Sequence, residues 1–159
     1  MQVLDASSAL YAWDNYPFEQ FPPLWAWLAR QIATGQLTIS AVALEEVGHK
    51  SPDAAIWLKA QQISVMPMTE AILMDALRIK GLLAIEGDQY GSGVGENDLF
   101  IIASALAHGA ELLTDEARQP SLPTNRRSYK IPAVCDLPGV QTRCLSFVEY
   151  LKRSQAVFG

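Results

Sequence analysis

Four carboxylate positions in this chain could do chemistry together: Asp5, Glu46, Asp98, and one of the adjacent pair Asp115 and Glu116. Clustered carboxylates repel one another unless a cation sits among them. An all-oxygen donor set favours a hard divalent ion, Mg²⁺ or Mn²⁺, over zinc. Such an ion activates water and neutralises charge at a phosphodiester. The two cysteines, Cys135 and Cys144, have no second pair and no nearby histidines, so they do not make a zinc site.

The local sequence must place these acids. Glu96 to Glu116 reads ENDLFIIASALAHGAELLTDE. Asn97 and Asp98 are predicted to cap a helix start, because a side-chain oxygen there accepts an unpaired backbone N–H. From Leu99 to Leu106 nearly every residue is apolar or small, the pattern of a helix buried all round. Gly109 suits the residue after a helix end. Ala110 to Thr114 then reads as a short buried strand, with Asp115 and Glu116 at its end. Gln2 to Leu4 reads as a central strand that delivers Asp5. Asp5 is either a helix N-cap or a site carboxylate, and Ser7 or Ser8 either caps the helix or holds the carboxylate.

Leu37 to Ser40 reads as a second strand, followed by a helix over Ala41 to Val47. Glu46 lies three and four residues beyond Ala43 and Val42, on an apolar face, whereas Glu45 points elsewhere. A carboxylate on a core-facing stripe needs a partner or a metal, which selects Glu46. His49 and Lys50 read as a solvated helix end. Ser51 to Asp53 starts another helix. Ile63 to Met66 is a third strand and Thr69 to Ile85 a long helix. Gly87 to Gly95, with four glycines, matches no phosphate-binding loop and reads as a mobile connection. Arg118, Arg126, Arg127 and Lys130 form the one basic cluster, in a loop that is either solvated or able to steer a phosphate backbone. Val140 to Leu145 reads as the last strand, and Ser146 caps a final helix from Phe147 to about Ala156. Trp25, Leu28 and Ile32 share one helix face, a core or interface pattern more than a base-stacking one.

The whole chain has 159 residues, 50% hydrophobic and 18% charged, which suits one folded domain over residues 1–159 and argues against disorder. No apolar run approaches the roughly 18 residues of a membrane helix, and the first residues have no basic signal-peptide region. With two cysteines, a reduced cytoplasmic protein is expected. The formal charge of −5 is a poor footprint for nucleic acid, although catalytic carboxylates contribute to that count. Strands alternating with helices predict an α/β fold, a three-layer α/β/α sandwich around a parallel sheet. Its rim would gather all four acids.

These segments resemble the PIN-domain ribonucleases, which include the VapC-type toxins of bacterial toxin–antitoxin modules. The resemblance rests on VLDASSAL at Val3 to Leu10, ISAVALEEV at Ile39 to Val47, and NDLFIIASAL followed by LLTDE. The Trp-rich first third and KIPAVC look like an uncharacterised PIN-like branch. The resemblance implies a metal-dependent endoribonuclease cutting single-stranded RNA, with Asp5, Glu46, Asp98 and Glu116 holding Mg²⁺ or Mn²⁺. Ser7, Thr114 and Asp115 would support them, and Arg126, Arg127 and Lys130 would meet the RNA backbone. It also implies a small antitoxin protein as partner, and homodimers. A second reading is a degenerate PIN-like module that binds RNA or a partner protein without cutting. The net charge and a Glu at 116, where the family usually has Asp, favour it. A phosphoryl-accepting receiver domain would need an adjacent acid pair after the first strand, where Asp5 stands alone.

Overall fold

The three central strands of this chain are short, apolar and buried on both faces, as parallel strands between helices must be. A computed structural model describes residues 1–159. Its strands are β1 (Gln2–Leu4), β2 (Leu37–Ser40), β3 (Val65–Met66), β4 (Glu111–Leu113) and β5 (Cys144–Leu145). All pair in parallel in one sheet of order β3-β2-β1-β4-β5. The helices are α1 (Ala6–Asn15), α2 (Pro22–Ala33), α3 (Ala41–Lys50), α4 (Pro52–Ala60), α5 (Glu70–Leu82), α6 (Glu96–Ala107), α7 (Ile131–Cys135) and α8 (Phe147–Ser154). They cover the sheet in the predicted three-layer α/β/α arrangement. No helix is long and apolar enough to cross a membrane.

The chain runs from β1 outward to β3, then returns to the other side of β1 as β4. The strand order therefore reverses between β1 and β4. At such a switch point the loops leaving the two strands diverge and open a crevice beyond their carboxyl ends. Register makes the placement specific: Leu4 pairs with both Ile39 and Leu113, so Asp5, Ser40 and Thr114 leave the sheet at one level. The Asp5 N–H extends the ladder by donating to the Leu113 carbonyl at 2.8 Å.

The core explains α6. Leu99, Ile101, Ile102, Ala103 and Ala105 are all buried, so the helix has almost no solvated face, as its sequence predicts. On the other side of the sheet an aromatic cluster joins three helices. Trp25 of α2 meets Trp13 of α1 and Trp57 of α4 edge-on, at 5.3 and 4.8 Å between ring centres. The indole N–H of Trp25 donates to the Tyr16 carbonyl at 2.8 Å. Trp25, Leu28 and Ile32 are buried together, as their spacing predicts.

Several boundaries differ from the sequence reading. Helix α6 starts at Glu96 after an N-cap at Gly95, so Asp98 is its third residue and not its cap. The Asp98 carboxylate instead reaches back to accept the Gly95 N–H, the one half of a capping box that a glycine N-cap allows. β3 and β5 each keep only two paired residues. Ile131–Cys135 forms a short helix with Pro132 in its first turn, where proline's missing N–H costs nothing. The glycine-rich segment is docked: Gly93 and Val94 donate to the carbonyls of Arg127 and Tyr129 at 3.3 and 2.9 Å. A Cβ on Gly93 would lie 2.1 Å from the Tyr129 oxygen, so glycine serves close backbone approach there and not mobility. Both cysteines are free thiols, Cys135 buried and Cys144 partly so.

Candidate functional site

Asp5 occupies the N-cap position of α1 without capping it: its side chain accepts no backbone N–H of the helix. Its Oδ2 instead accepts the Ser7 hydroxyl at 2.5 Å and the Thr114 hydroxyl at 3.0 Å. These contacts tie the loop after β1 to the loop after β4 across the switch point. The Ser7 hydroxyl also accepts the Asp115 N–H at 2.9 Å, and that of Thr114 accepts the Glu116 N–H at 3.2 Å. Ser7 therefore supports Asp5 and does not cap α1. Asp5 is only 2% exposed.

Asp98 arrives from the other side, on the first turn of α6, with its Oδ2 held by the Gly95 N–H at 2.8 Å. Glu46 arrives on α3, whose inner face carries buried Ala43 and Val47. Glu46 is partly buried and Glu45 exposed, the predicted phase. Ser40 accepts the Ala43 N–H at 3.1 Å and fixes the start of α3. Glu116 follows β4 at the same rim.

These four carboxylates share one electrostatic environment. Burial, and then the charges of Asp98 and Glu46, push Asp5 up from 3.8 to about 6, against the lowering effect of the two hydroxyls. Burial also raises Asp98, with Glu116 and Glu46 adding to the rise and the Gly95 N–H opposing it. Asp115 is different. Its Oδ2 accepts the Ser8 hydroxyl at 2.6 Å and the Phe147 N–H at 3.2 Å. Burial raises its pKa, and the acid it feels is Glu149, not the other four. Asp115 thus ties α1 to α8, while the charge of Glu116 acts on Asp98.

Two lysines accompany the acids. Lys50, read from sequence as a solvated helix end, donates to Glu46 Oε1 at 2.9 Å. That hydrogen bond raises its pKa, and the charges of Asp5 and Glu116 add to the rise. The four-residue interval from Glu46 to Lys50 is the signal that could have found it. Lys130 Nζ stands 3.8 Å from Glu116 Oε2. The rest of the basic cluster is committed to the fold. Arg126 donates to the Leu82 carbonyl at 3.2 Å, the Arg127 side chain to Asn125 at 3.3 Å, and Arg118 to Glu149 at 3.1 Å.

In kind, the donor set suits a hard divalent cation: all four side chains are carboxylates, and the hydrogen bonds to Asp5 and Asp98 fall on Oδ2, leaving Oδ1 of each without a protein donor. In spacing the fit is incomplete. No three Asp, Glu, His or Cys side chains stand close enough to share one ion; Glu46 is turned to Lys50 and Glu116 lies 3.8 Å from Lys130.

The profile of a family described as a domain of unknown function, DUF4411, matches residues 2–158. No curated protein matches. Among solved structures the chain is similar to the crystal structure of VapBC2 from Rickettsia felis bound to a DNA fragment from their promoter. The identity is 17% and the TM-score 0.55, over 91% of this chain and 97% of that one. At that identity the likeness is one of fold.

Proposed function

The chain belongs to the DUF4411 family, and we propose that it is a divalent-metal-dependent endoribonuclease of the PIN type, acting on single-stranded RNA in the cytoplasm. The observation that carries the reading is the pair of inward-facing carboxylates, Asp5 and Asp98, at the switch point, within the field of Glu46 and Glu116. Buried like charges destabilise a fold. An arrangement that keeps them is expected where a ligand compensates them.

Asp5, Glu46 and Asp98 would hold Mg²⁺ or Mn²⁺, with Glu116 as a fourth ligand. When bound, the ion supplies an activated water and charge neutralisation at phosphorus. The chain's own residues do the positioning. Ser7 and Thr114 fix the Asp5 carboxylate by two hydroxyls, and the Gly95 N–H fixes Asp98. Lys50 and Lys130 compensate Glu46 and Glu116, and a cation held by those two glutamates would compete with the lysines for them. Lys130, beside Glu116, is the member of the loop's basic cluster nearest the acids and would be the best placed of them to meet a phosphate. Arg126 and Arg127 stand further along the same loop, where an RNA backbone would compete for their present partners. The PIN resemblance supports a small antitoxin protein as partner and the role of a toxin in a toxin–antitoxin module.

A second reading is kept, because one observation favours it. With two of four acids engaged by lysines and no three within reach of one ion, a PIN-like module that binds RNA or a protein without cutting is also consistent. A cleavage assay separates the two. Wild-type protein should cut single-stranded RNA with Mg²⁺ or Mn²⁺ and lose that activity in EDTA. Asp98→Asn should be inactive while folded, since the amide oxygen still accepts the Gly95 N–H. Activity that survives in Asp98→Asn would reject the assignment.

A further inference from the structure

Cys135 ends the short helix α7 and Cys144 opens the edge strand β5. The segment between them folds back on itself. The Leu137 carbonyl accepts the N–H groups of Val140 and Gln141 at 2.9 and 3.0 Å, and Gln141 takes a left-handed conformation with φ of 52°. A residue other than glycine is uncommon there and needs its surroundings to hold it. Buried Leu137 and Val140 anchor the turn. The returning chain lays Thr142 on the end of α7. Its N–H donates to the Cys135 carbonyl at 3.1 Å, and its own carbonyl accepts the Cys144 thiol at 4.0 Å. Thr142 therefore joins the two cysteines.

The thiols themselves meet. The Cys135 thiol donates to the Cys144 sulfur, and that bond, followed by burial, holds the Cys135 thiol well above the usual range. The two cysteines are not equivalent: Cys135 is 1% exposed, whereas Cys144 is partly open to solvent. An oxidant reaches Cys144 first, with a second thiol already against it. An accessible cysteine poised beside a resolving cysteine is the arrangement of a redox-sensitive pair. The Thr142 hydroxyl lies at the same place, 4% exposed and without a hydrogen-bond partner. A buried hydroxyl rarely stays unpaired, and this one is free to meet an oxygen atom added at Cys144.

We propose that Cys135 and Cys144 form a peroxide-sensitive switch, closing reversibly to a disulfide that fastens β5 to α7. The Cys144 sulfur attacks one oxygen of hydrogen peroxide. The O–O bond breaks, a sulfenic acid forms on Cys144, and the departing hydroxide takes the thiol proton as water. The Cys135 sulfur then attacks the Cys144 sulfur. The S–O bond breaks, and the hydroxyl leaves with the Cys135 proton as a second water. The two thiols thus give two electrons to the peroxide. An external thiol reverses the step by thiol–disulfide exchange. Such transient disulfides are the kind that occur in a reducing compartment. The strand is the element with most to gain, because β5 keeps only two paired residues at the sheet edge. Its Leu145 carbonyl accepts the Thr114 N–H at 2.9 Å, and the Thr114 hydroxyl donates to Asp5 at 3.0 Å. Closure therefore stiffens the strand that backs one side of the carboxylate site. The switch operates whether or not that site cleaves RNA.

Titration of the reduced full chain with hydrogen peroxide, followed by non-reducing mass spectrometry, tests this. The wild type should lose two hydrogens from its intact mass with no gain of oxygen. Its digest should show the Cys135 peptide joined to the Cys144 peptide, and dithiothreitol should restore both thiols. Cys135→Ser should stop at a sulfenic acid on Cys144, trapped by dimedone. Hydrogen exchange at the Thr114 amide should slow on oxidation of the wild type. Both thiols surviving a peroxide dose that oxidises free cysteine would overturn the proposal. So would disulfides formed only between chains, or Cys144 carried to a sulfinic acid while Cys135 stays a thiol. These wild-type outcomes hold even if the serine variant does not fold. An internal disulfide that leaves Thr114 exchange unchanged would overturn the fastening of β5.

Discussion

Asp5 is a carboxylate held almost out of water by two hydroxyls, and its titration has a direct consequence for stability. The folded protein keeps the Asp5 proton to about pH 6, whereas the unfolded chain releases it near 3.8. Between those values the folded state binds more protons, so the contribution of Asp5 to stability falls as pH rises through that window and is unfavourable at neutral pH. Asp98 and Asp115, also raised, act in the same direction. Glu111 acts oppositely: Arg153 holds it down at about 2, so its contribution is lost only as pH falls toward that value. Asp5→Asn should therefore melt higher than wild type at pH 7 without metal, by about 3 kcal/mol from the span between the two Asp5 values. The difference should shrink as pH falls through that window and vanish below the unfolded value of 3.8. An Asp5→Asn protein that melts lower at neutral pH would mean that its hydrogen bonds to Ser7 and Thr114 outweigh the desolvated charge.

Lys50 belongs to the same scale. Removing its ammonium leaves Glu46 facing Asp5 and Asp98 without a counter-ion. Lys50→Met should lower the metal-free melting temperature and enlarge the rise caused by Mn²⁺, because the ion no longer competes with a lysine for Glu46. A differential scan with and without Mn²⁺ reads both effects, and an unchanged Mn²⁺ response would place Lys50 outside the site. The carboxylates themselves were legible in the sequence. Asp5 follows an apolar run, Glu46 shares a face with Ala43, and Asp98 precedes a buried helix. Lys50 left only the weaker trace of its four-residue interval from Glu46, a spacing that an exposed helix-end lysine has whether it points to solvent or to the acid.

At the scale of elements, the start of α6 depends on a docked loop and not on the helix alone. Gly91 and Gly93 let the backbone before α6 lie directly on the segment from Arg127 to Tyr129, where a Cβ on Gly91 would meet the Arg127 oxygen at 2.6 Å. Gly93→Ala should force that contact apart and destabilise the protein by about 1–3 kcal/mol, the usual range for overpacking. It should also loosen the start of α6, which carries Asp98, and the segment that leads to Lys130. Hydrogen exchange at the Val94 amide, which donates to Tyr129 at 2.9 Å, reports the loosening. Protection unchanged in the variant would show that α6 holds its own start. The central strands and α6 could be read from apolar runs ending in polar residues. The start of α6 could not, because Glu96 and Asn97 lack apolar periodicity and the cap is a glycine with no side chain to announce it. The short helix α7 was hidden by Pro132, and β5 was overestimated because Val140 is buried outside the sheet.

For the whole molecule, the fold gathers acids from four separated elements at one rim in a chain of net charge −5. The fold class was legible because strand and helix patterns alternate. The closeness of the site was not, because side-chain rotamers decide whether Glu46 and Glu116 face a metal or a lysine. A cation bound only by the folded protein adds about 2.7 kcal/mol of stability at a hundred times its dissociation constant. The most direct measurement is calorimetric titration of the wild-type protein with Mn²⁺ at neutral pH, beside Glu46→Gln, Glu45→Gln and Asp98→Asn. If the four carboxylates form one cation site, wild type and Glu45→Gln bind Mn²⁺ alike, while Glu46→Gln and Asp98→Asn lose most of the affinity. Wild-type protein that takes up no Mn²⁺, or binding that Asp98→Asn leaves intact, would contradict it.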